Sequence, residues 1–168
     1  IYATPGISLS IDNGSSTVCQ GNSRTLKFDV TGSSNNDVIE INYTINGAVA
    51  STETFTAVGG VNGGIRTIAV TPTVTTTYTV TSVENTTTGC IFYPTNETVT
   101  LNVIPTATVL LSVSNNTVCP GESTDLIFTI FNSGGASVVI EYEKNENGTI
   151  TIPNPTATFP GDGVYSIS

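Results

Sequence analysis

The sequence predicts an all-β chain made of two tandem sandwich domains, and three observations lead there. Apolar and polar residues alternate along short stretches, as in Leu26, Phe28 and Val30 or Ile39, Ile41, Tyr43 and Ile45; a period of two marks strands with one buried face. The same text then occurs twice, about one hundred residues apart: Val18-Cys19-Gln20-Gly21 returns as Val118-Cys119-Pro120-Gly121, and Leu26-Lys27-Phe28-Asp29-Val30 as Leu126-Ile127-Phe128-Thr129-Ile130. A period of that size is a domain, too long for a solenoid unit that needs its neighbours. Thr, Ser, Val, Asn and Gly abound, His, Met and Trp are absent and only 10% of residues are charged, a composition that suits β modules and disfavours helical bundles. Each copy is close in size to an immunoglobulin-like antiparallel β-sandwich. The expected domains are residues 1–104 and 105–168, the second incomplete at its C-terminus.

The elements of the first copy follow in order. A strand is expected around Ile7 to Ile11, then the alternating runs at Leu26 and Ile39. Asn46-Gly47 follows the second run, where a tight hairpin turn needs positive φ, and Thr52 to Phe55 supplies its returning strand. Gly59-Gly60 and Gly63-Gly64 mark a looser loop. Ile68 and Val70, then Tyr78, Val80 and Ser82, then Val99, Leu101 and Val103 complete the copy. Val103-Ile104-Pro105-Thr106 passes almost directly into the next copy; a short linker with Pro is stiff, so the copies are expected to stand end to end at roughly 40 Å each.

The second copy repeats the alternation at Leu126, Phe128 and Ile130 and at Val138, Ile140 and Tyr142, with Asn147-Gly148 in the turn position. Its final Tyr165-Ser166-Ile167-Ser168 aligns with Tyr78-Thr79-Val80-Thr81-Ser82. On that alignment the copy ends inside a strand and lacks the counterparts of Cys90 and of the closing strand Thr98 to Val103. An open sheet edge and an uncovered apolar face would follow, which natural chains avoid, so the chain is expected to be a segment of something longer.

Thirteen acidic residues against four basic ones give a net charge of −9, which disfavours phosphate backbones and anionic lipid as partners. No apolar run is long enough to span a bilayer, and Ile1-Tyr2-Ala3-Thr4-Pro5 is not a signal peptide. Nucleic acid and direct membrane insertion are therefore not expected. Cys19 and Cys90 fall in one copy, and Cys119 repeats Cys19. In an oxidising compartment a Cys19–Cys90 disulfide would close a loop of about seventy residues, worth about 4 kcal/mol in the chain-entropy account; Cys119 would pair beyond the chain end. Metal or nucleophilic use of the thiols would need His or clustered Cys, and neither is present.

Several of these pieces carry a resemblance. Val-Cys-x-Gly, an alternating strand, a Tyr strand ending in Asn-Gly, the segment Thr71-Pro72 through Val83, and Gly89-Cys90 before the closing strand together resemble the Ig-like and PKD-like tandem repeats of Bacteroidota cell-surface adhesins. Such repeats fill the SprB-like giant gliding-motility adhesin and other cargo of the type IX secretion system. The likeness covers essentially the whole chain and implies an extracellular, cell-surface module. It departs from the antibody pattern: there is no core Trp, and Cys90 lies twelve residues after Tyr78 where antibody domains have two, so the disulfide is expected to pin loops or a sheet end.

Catalysis is not expected. A Ser or Cys nucleophile lacks a His base, and the carboxylates that could act as a glycosidase pair, Asp29, Asp37, Glu40, Glu141 and Glu143, read better as solvated strand faces. Asp12-Asn13-Gly14 and Asn35-Asn36-Asp37 offer clustered oxygens that would suit Ca²⁺, with Asp12 and Asp37 as ligands, although Asn and Asp are also ordinary turn residues. Lys27 as half of a Lys–Asn cross-link is set aside, because it alternates out of phase with the core and the second copy has Ile127. Six sequons, at Asn13, Asn42, Asn85, Asn96, Asn115 and Asn147, are close to the number chance supplies. The expected role is a non-catalytic segment of a large surface adhesin that projects and spaces a distal tip, with neighbouring repeats as partners. The alternatives are a binding module for surface polysaccharide or another surface protein, using the loops Ser33 to Asp37 or Ala57 to Ile65 or the aromatics Phe55, Phe92 and Tyr93, and an accessory domain of a secreted enzyme.

Overall fold

The computed structural model describes residues 2–12, 14–58, 63–143, 145–146, 149–150 and 155–168, which divide into two compact units, Ile1–Ile104 and Pro105–Ser168. The first holds nine strands: β1 (Gly6–Ile11), β2 (Thr17–Cys19), β3 (Arg24–Thr31), β4 (Val38–Ile45), β5 (Val49–Thr56), β6 (Gly64–Val70), β7 (Thr76–Asn85), β8 (Cys90–Phe92) and β9 (Thr98–Ile104). They form an immunoglobulin-like β-sandwich, with one sheet in the order β1-β3-β6 and the other in the order β2-β9-β7-β4-β5, β8 pairing beside β9 along β7. After β1 the chain crosses between sheets, and β2 runs parallel to β9.

The alternation explains which residues meet between the sheets. Leu26, Phe28 and Val30 from β3 and Ile39, Ile41 and Tyr43 from β4 are buried together with Tyr78, Val80, Val83 and Leu101, and the Phe28 and Tyr43 rings lie 5.6 Å apart. Along β7 the expected inward set of Tyr78, Val80 and Ser82 fails at its last member. A bulge against β4 at Asn42/Tyr43 inserts one residue, so Val83 and Asn85 turn inward and Ser82 does not. Asn46 and Gly47 take the two positive φ values, 52° and 71°, of a hairpin turn, and the Asn46 side-chain oxygen accepts from the Thr77 N–H at 2.8 Å. The Asn147-Gly148 turn and Gly59-Gly60 lie outside the described residues.

Charged groups close the edges between the sheets. Arg66 on β6 donates from Nε and Nη2 to one Glu53 oxygen on β5, at 3.1 and 2.8 Å. At the other side Glu97 accepts from the Leu9 N–H at 2.9 Å, covering an edge group of β1 that water or another strand would otherwise take.

The second unit contains β10 (Thr108–Val113), β11 (Leu126–Phe131), β12 (Val138–Glu141), β13 (Asn145–Glu146), β14 (Thr149–Ile150), β15 (Thr156–Phe159) and β16 (Gly163–Ile167). The sheets are β10-β11-β16, β12-β15 and β13-β14. Leu111 stands opposite Phe128 as Leu9 stands opposite Phe28, and Phe128 and Tyr142 lie 5.6 Å apart, the spacing of Phe28 and Tyr43. The alignment of the last residues is corrected here. β16 pairs with β11, placing Ile167 opposite Leu126 and Gly163 opposite Ile130, just as β6 places Ile68 opposite Leu26 and Gly64 opposite Val30. Tyr165 to Ser168 thus occupies the place of β6. Alternation alone does not separate two neighbouring strands with the same period; the partner strand does.

Burial follows from that correction. Leu9 is 8% exposed and Leu111 57%; Val18 is 2% exposed and Val118 44%. In the first unit β1 packs against β9 and β7, and among the described residues of the second unit no strand holds those places.

Two outcomes are expected. In urea denaturation Leu9→Ala lowers the stability of the first unit by about 2–4 kcal/mol, whereas Leu111→Ala costs less than about 1 kcal/mol because its side chain is already half in water. Burial raises the pKa of the Tyr43 phenol, with the Ser51 hydrogen bond opposing and Glu53 assisting, and burial with the nearby Tyr43 raises Tyr78. A raised folded pKa contributes fully below the unfolded value of about 10 and is lost as pH climbs through the folded value. Unfolding measured from pH 9 upward is therefore expected to show the first unit losing stability above about pH 10, with Tyr43→Phe flattening the loss.

Candidate functional site

The sequence singles out three groups, the cysteines, two acidic turns and three aromatics, and the fold places each of them. Cys19 ends β2, beside Ile104 at the end of β9, and β9 runs antiparallel to β7 with Leu101 opposite Thr76. Cys90 opens β8 opposite Asn85, at the far end of β7. The rise along β7 from Thr76 to Asn85 alone separates the two levels by about 30 Å, and a disulfide needs its Cα atoms within about 7 Å. The expected Cys19–Cys90 bridge is therefore corrected: both thiols are free, as is Cys119. Matching the two cysteines by copy gave no information about which end of the sandwich each occupies. What recurs around Cys19 and Cys119 is a turn: the Asn22 N–H donates to the Cys19 carbonyl at 3.0 Å and the Glu122 N–H to the Cys119 carbonyl at 3.0 Å, with Gly21 and Gly121 at positive φ.

The acidic turns lie at opposite ends of the first unit. Asp12 follows β1 at the Leu26 end of β3, whereas Asp37 lies in the loop beyond Thr31. The Asp37 carboxylate is buried, and its Oδ2 accepts from the Ser34 N–H and the Asn85 Nδ2–H, each at 2.7 Å. Its carbonyl accepts from the Ala57 N–H at 2.8 Å. Asn85 in turn accepts at Oδ1 from the Thr87 and Thr88 N–H groups. These bonds tie the start of β4, the end of β7 and the segment after β5 into one closed end. A buried carboxylate so used is a structural fastener, and its oxygen is already engaged where Ca²⁺ would need six to eight such ligands, by the usual count of about that number. Among the described residues no three His, Cys, Asp or Glu side chains gather around a common point.

Asn85 is the residue that sequence reading missed. It entered only as a sequon, yet it is buried and unavailable to a glycosyl transfer in the folded state. Its inward direction depends on the bulge at Asn42/Tyr43 and was not legible; the available signal was an Asn just before Thr-Thr-Thr-Gly, where an Asx-type turn is expected. Asn13 and Asn147 lie outside the described residues.

The aromatics do not form one platform. Phe55 stands opposite Ile39 on β5 and packs against the core; Phe159, opposite Val138, holds the same place in the second unit. Phe92 is on β8, so β4 and β7 separate it from β5, a span of about 14 Å. Phe92 and Tyr93 are exposed, Tyr93 at 68%, next to exposed Ile91. Of the two candidate loops, Ser33 and Asp37 are buried while Ser34, Asn35 and Asn36 face solvent; residues 59–62 of the other lie outside the described set. Labelling the native chain with a thiol reagent is expected to modify Cys19 and Cys119 rapidly, and peptide mapping after mild oxidation is expected to recover no Cys19–Cys90 peptide; such a peptide from folded monomer would contradict the register of β2 and β8.

No family model matches the chain, and no curated protein matches it. Among solved structures, the CARDB domain of a Pyrococcus furiosus protein, solved in complex with di-metal ions, is similar over 61% of this chain and 96% of its own, at 16% identity and a TM-score of 0.40.

Proposed function

We propose that the chain is a non-catalytic, extracellular spacer: part of a bacterial surface adhesin whose repeated modules hold a binding tip away from the cell. The observation that carries this reading is what the two units share and what they do not. They share interior and turn: Leu9/Leu111 opposite Phe28/Phe128, an aromatic pair at 5.6 Å and the Val-Cys-x-Gly turn. They do not share surface chemistry. Lys27 and Arg66 become Ile127 and Tyr165. Repetition of scaffold without repetition of a surface site fits a module selected for fold and length. The motif resemblance supports the wider setting, namely a Bacteroidota adhesin, type IX export and a role in adhesion or gliding, with neighbouring repeats as the partners.

A second reading has one observation in its favour. Ile91 and Phe92 on the short strand β8 and Tyr93 just after it are contiguous and exposed, which would suit contact with a polysaccharide or another surface protein.

An exchange experiment separates the two. In a surface-displayed adhesin carrying this chain between anchor and tip, replacing it by an unrelated pair of sandwich domains of equal length is expected to preserve adhesion, and deleting it to reduce adhesion. Loss of adhesion on the equal-length replacement, reproduced by Phe92→Ala with Tyr93→Ala, would show that the chain itself binds.

A further inference from the structure

β2 and β9 of the first unit lie side by side and run the same way, with Thr17, Val18 and Cys19 opposite Asn102, Val103 and Ile104. Every other strand pair among the described residues is antiparallel. The ladder continues past the strand ends: the Asn102 N–H donates to the Ser16 carbonyl at 2.7 Å and the Gln20 N–H to the Ile104 carbonyl at 2.8 Å. Arg24, at the start of β3, holds the incoming end of β2, donating from Nη2 to the Thr17 carbonyl at 2.9 Å and from Nε to the Ser15 carbonyl at 3.3 Å. Val18 is buried beneath the pair. Direction decides what such a pair does under tension. A pull toward the N-terminus acts on the Ser16 end of β2, and a pull through Ile104 acts on the opposite end of β9. The two forces run along the strands in opposite senses, so the ladder is loaded in shear and its bonds resist together. β1 comes before β2 on the loaded path but joins the other sheet, so its detachment leaves the β2–β9 pair in place.

We propose that β2 and β9, stapled to β3 by Arg24, are a mechanical clamp that makes the first unit load-bearing along the direction in which the chain runs through it. β9 passes directly into Pro105 and the second unit, so tension along the chain reaches β9 at Ile104 and crosses to β2 through this ladder. Its rupture sets the rate of unfolding under load, with the contacts that β4, β5 and β7 make in the core still formed when it gives way. The second copy shows which clamp groups belong to the first unit alone: Gln20 is replaced by Pro120, which has no N–H to donate, and Arg24 by Thr124. The turn itself tolerates the proline, since the Glu122 N–H bonds the Cys119 carbonyl as the Asn22 N–H bonds that of Cys19. The role given to the clamp rests on the spacer reading, whereas the ladder is a property of the first unit alone. A spacer without a clamp would still space, and a chain that binds by its own surface could still carry one.

Single-molecule unfolding of the full chain at constant force tests this. With the native cysteines replaced by serine, handles at Tyr2→Cys and Thr106→Cys load the first unit alone and shear β2 against β9. A second attachment puts Ala48→Cys in place of Tyr2→Cys. The turn that holds Ala48 lies at the same end of the sheet as Ile104, because Ile45 stands opposite Tyr78 and Leu101 opposite Thr76, so this pull opens the strands one bond at a time. At equal force, unfolding between residues 2 and 106 is expected to be slower by at least about tenfold, since several hydrogen bonds must break together. In that direction Gln20→Pro is expected to unfold about fivefold faster, the loss of one ladder bond, and Gln20→Ala, which keeps the N–H, at the native rate. Phe55→Ala, which removes a core contact of β5, should lower the urea midpoint more than Gln20→Pro does and leave the forced rate unchanged. Equal rates in the two pulling directions, an effect of Gln20→Pro no greater than that of Gln20→Ala, or acceleration by Phe55→Ala equal to that by Gln20→Pro would each overturn the proposal.

Discussion

β7 is the strand on which the rest of the first unit depends. It takes β4 along one edge and both β8 and β9 along the other, and its inward residues Tyr78, Val80 and Val83 form the floor beneath Phe28. Through β9 it also places β2, and so buries Val18. Through Asn85 it binds Asp37 and closes one end of the sandwich. Among the described residues the second unit holds no strand of that kind. There Phe128, Ile130 and Phe159 are buried, and the rings of Tyr142 and Tyr165 gather on Phe128 and Phe159.

With the thiols free, the stability of the first unit rests on noncovalent terms. Apolar burial between the sheets is the largest, since each fully buried Leu, Ile or Phe contributes about 1.5–3 kcal/mol. Hydrogen bonds at the closed end add to it chiefly through what their loss would cost, because a buried carboxylate without donors is strongly unfavourable. The Arg66–Glu53 pair is partly in solvent and is worth under about 1 kcal/mol; its value is in fixing how the edge strands β5 and β6 meet.

Much of this fold was legible in the sequence because a half-buried strand writes its burial into every second residue. The strands at Leu26 and Ile39, the Asn46-Gly47 turn and the inward Leu101 could all be read that way. What could not be read depends on partners. The bulge at Asn42 moves the inward set of β7 from Ser82 to Val83, and nothing in a period of two announces an inserted residue. Tyr165-x-Ile167 fits the pattern of β7 and of β6 equally, and only pairing with β11 decides between them. The cysteines failed for the same reason, since membership of one copy says nothing about which end of a strand some 30 Å long a residue occupies. Phe55, a candidate surface aromatic, alternates with Thr54 and Thr56, and that alternation turns it toward the core.

The central claim is that both units are built on one scaffold and that β7 and β9 are what cover its interior in the first. Native-state hydrogen exchange on the chain as it stands addresses this most directly. Amides of β3, β4 and β7 are expected to exchange only through unfolding of the whole first unit, while those of β10 and β12 exchange faster by about two orders of magnitude or more. Protection of β12 equal to that of β4 would contradict the account.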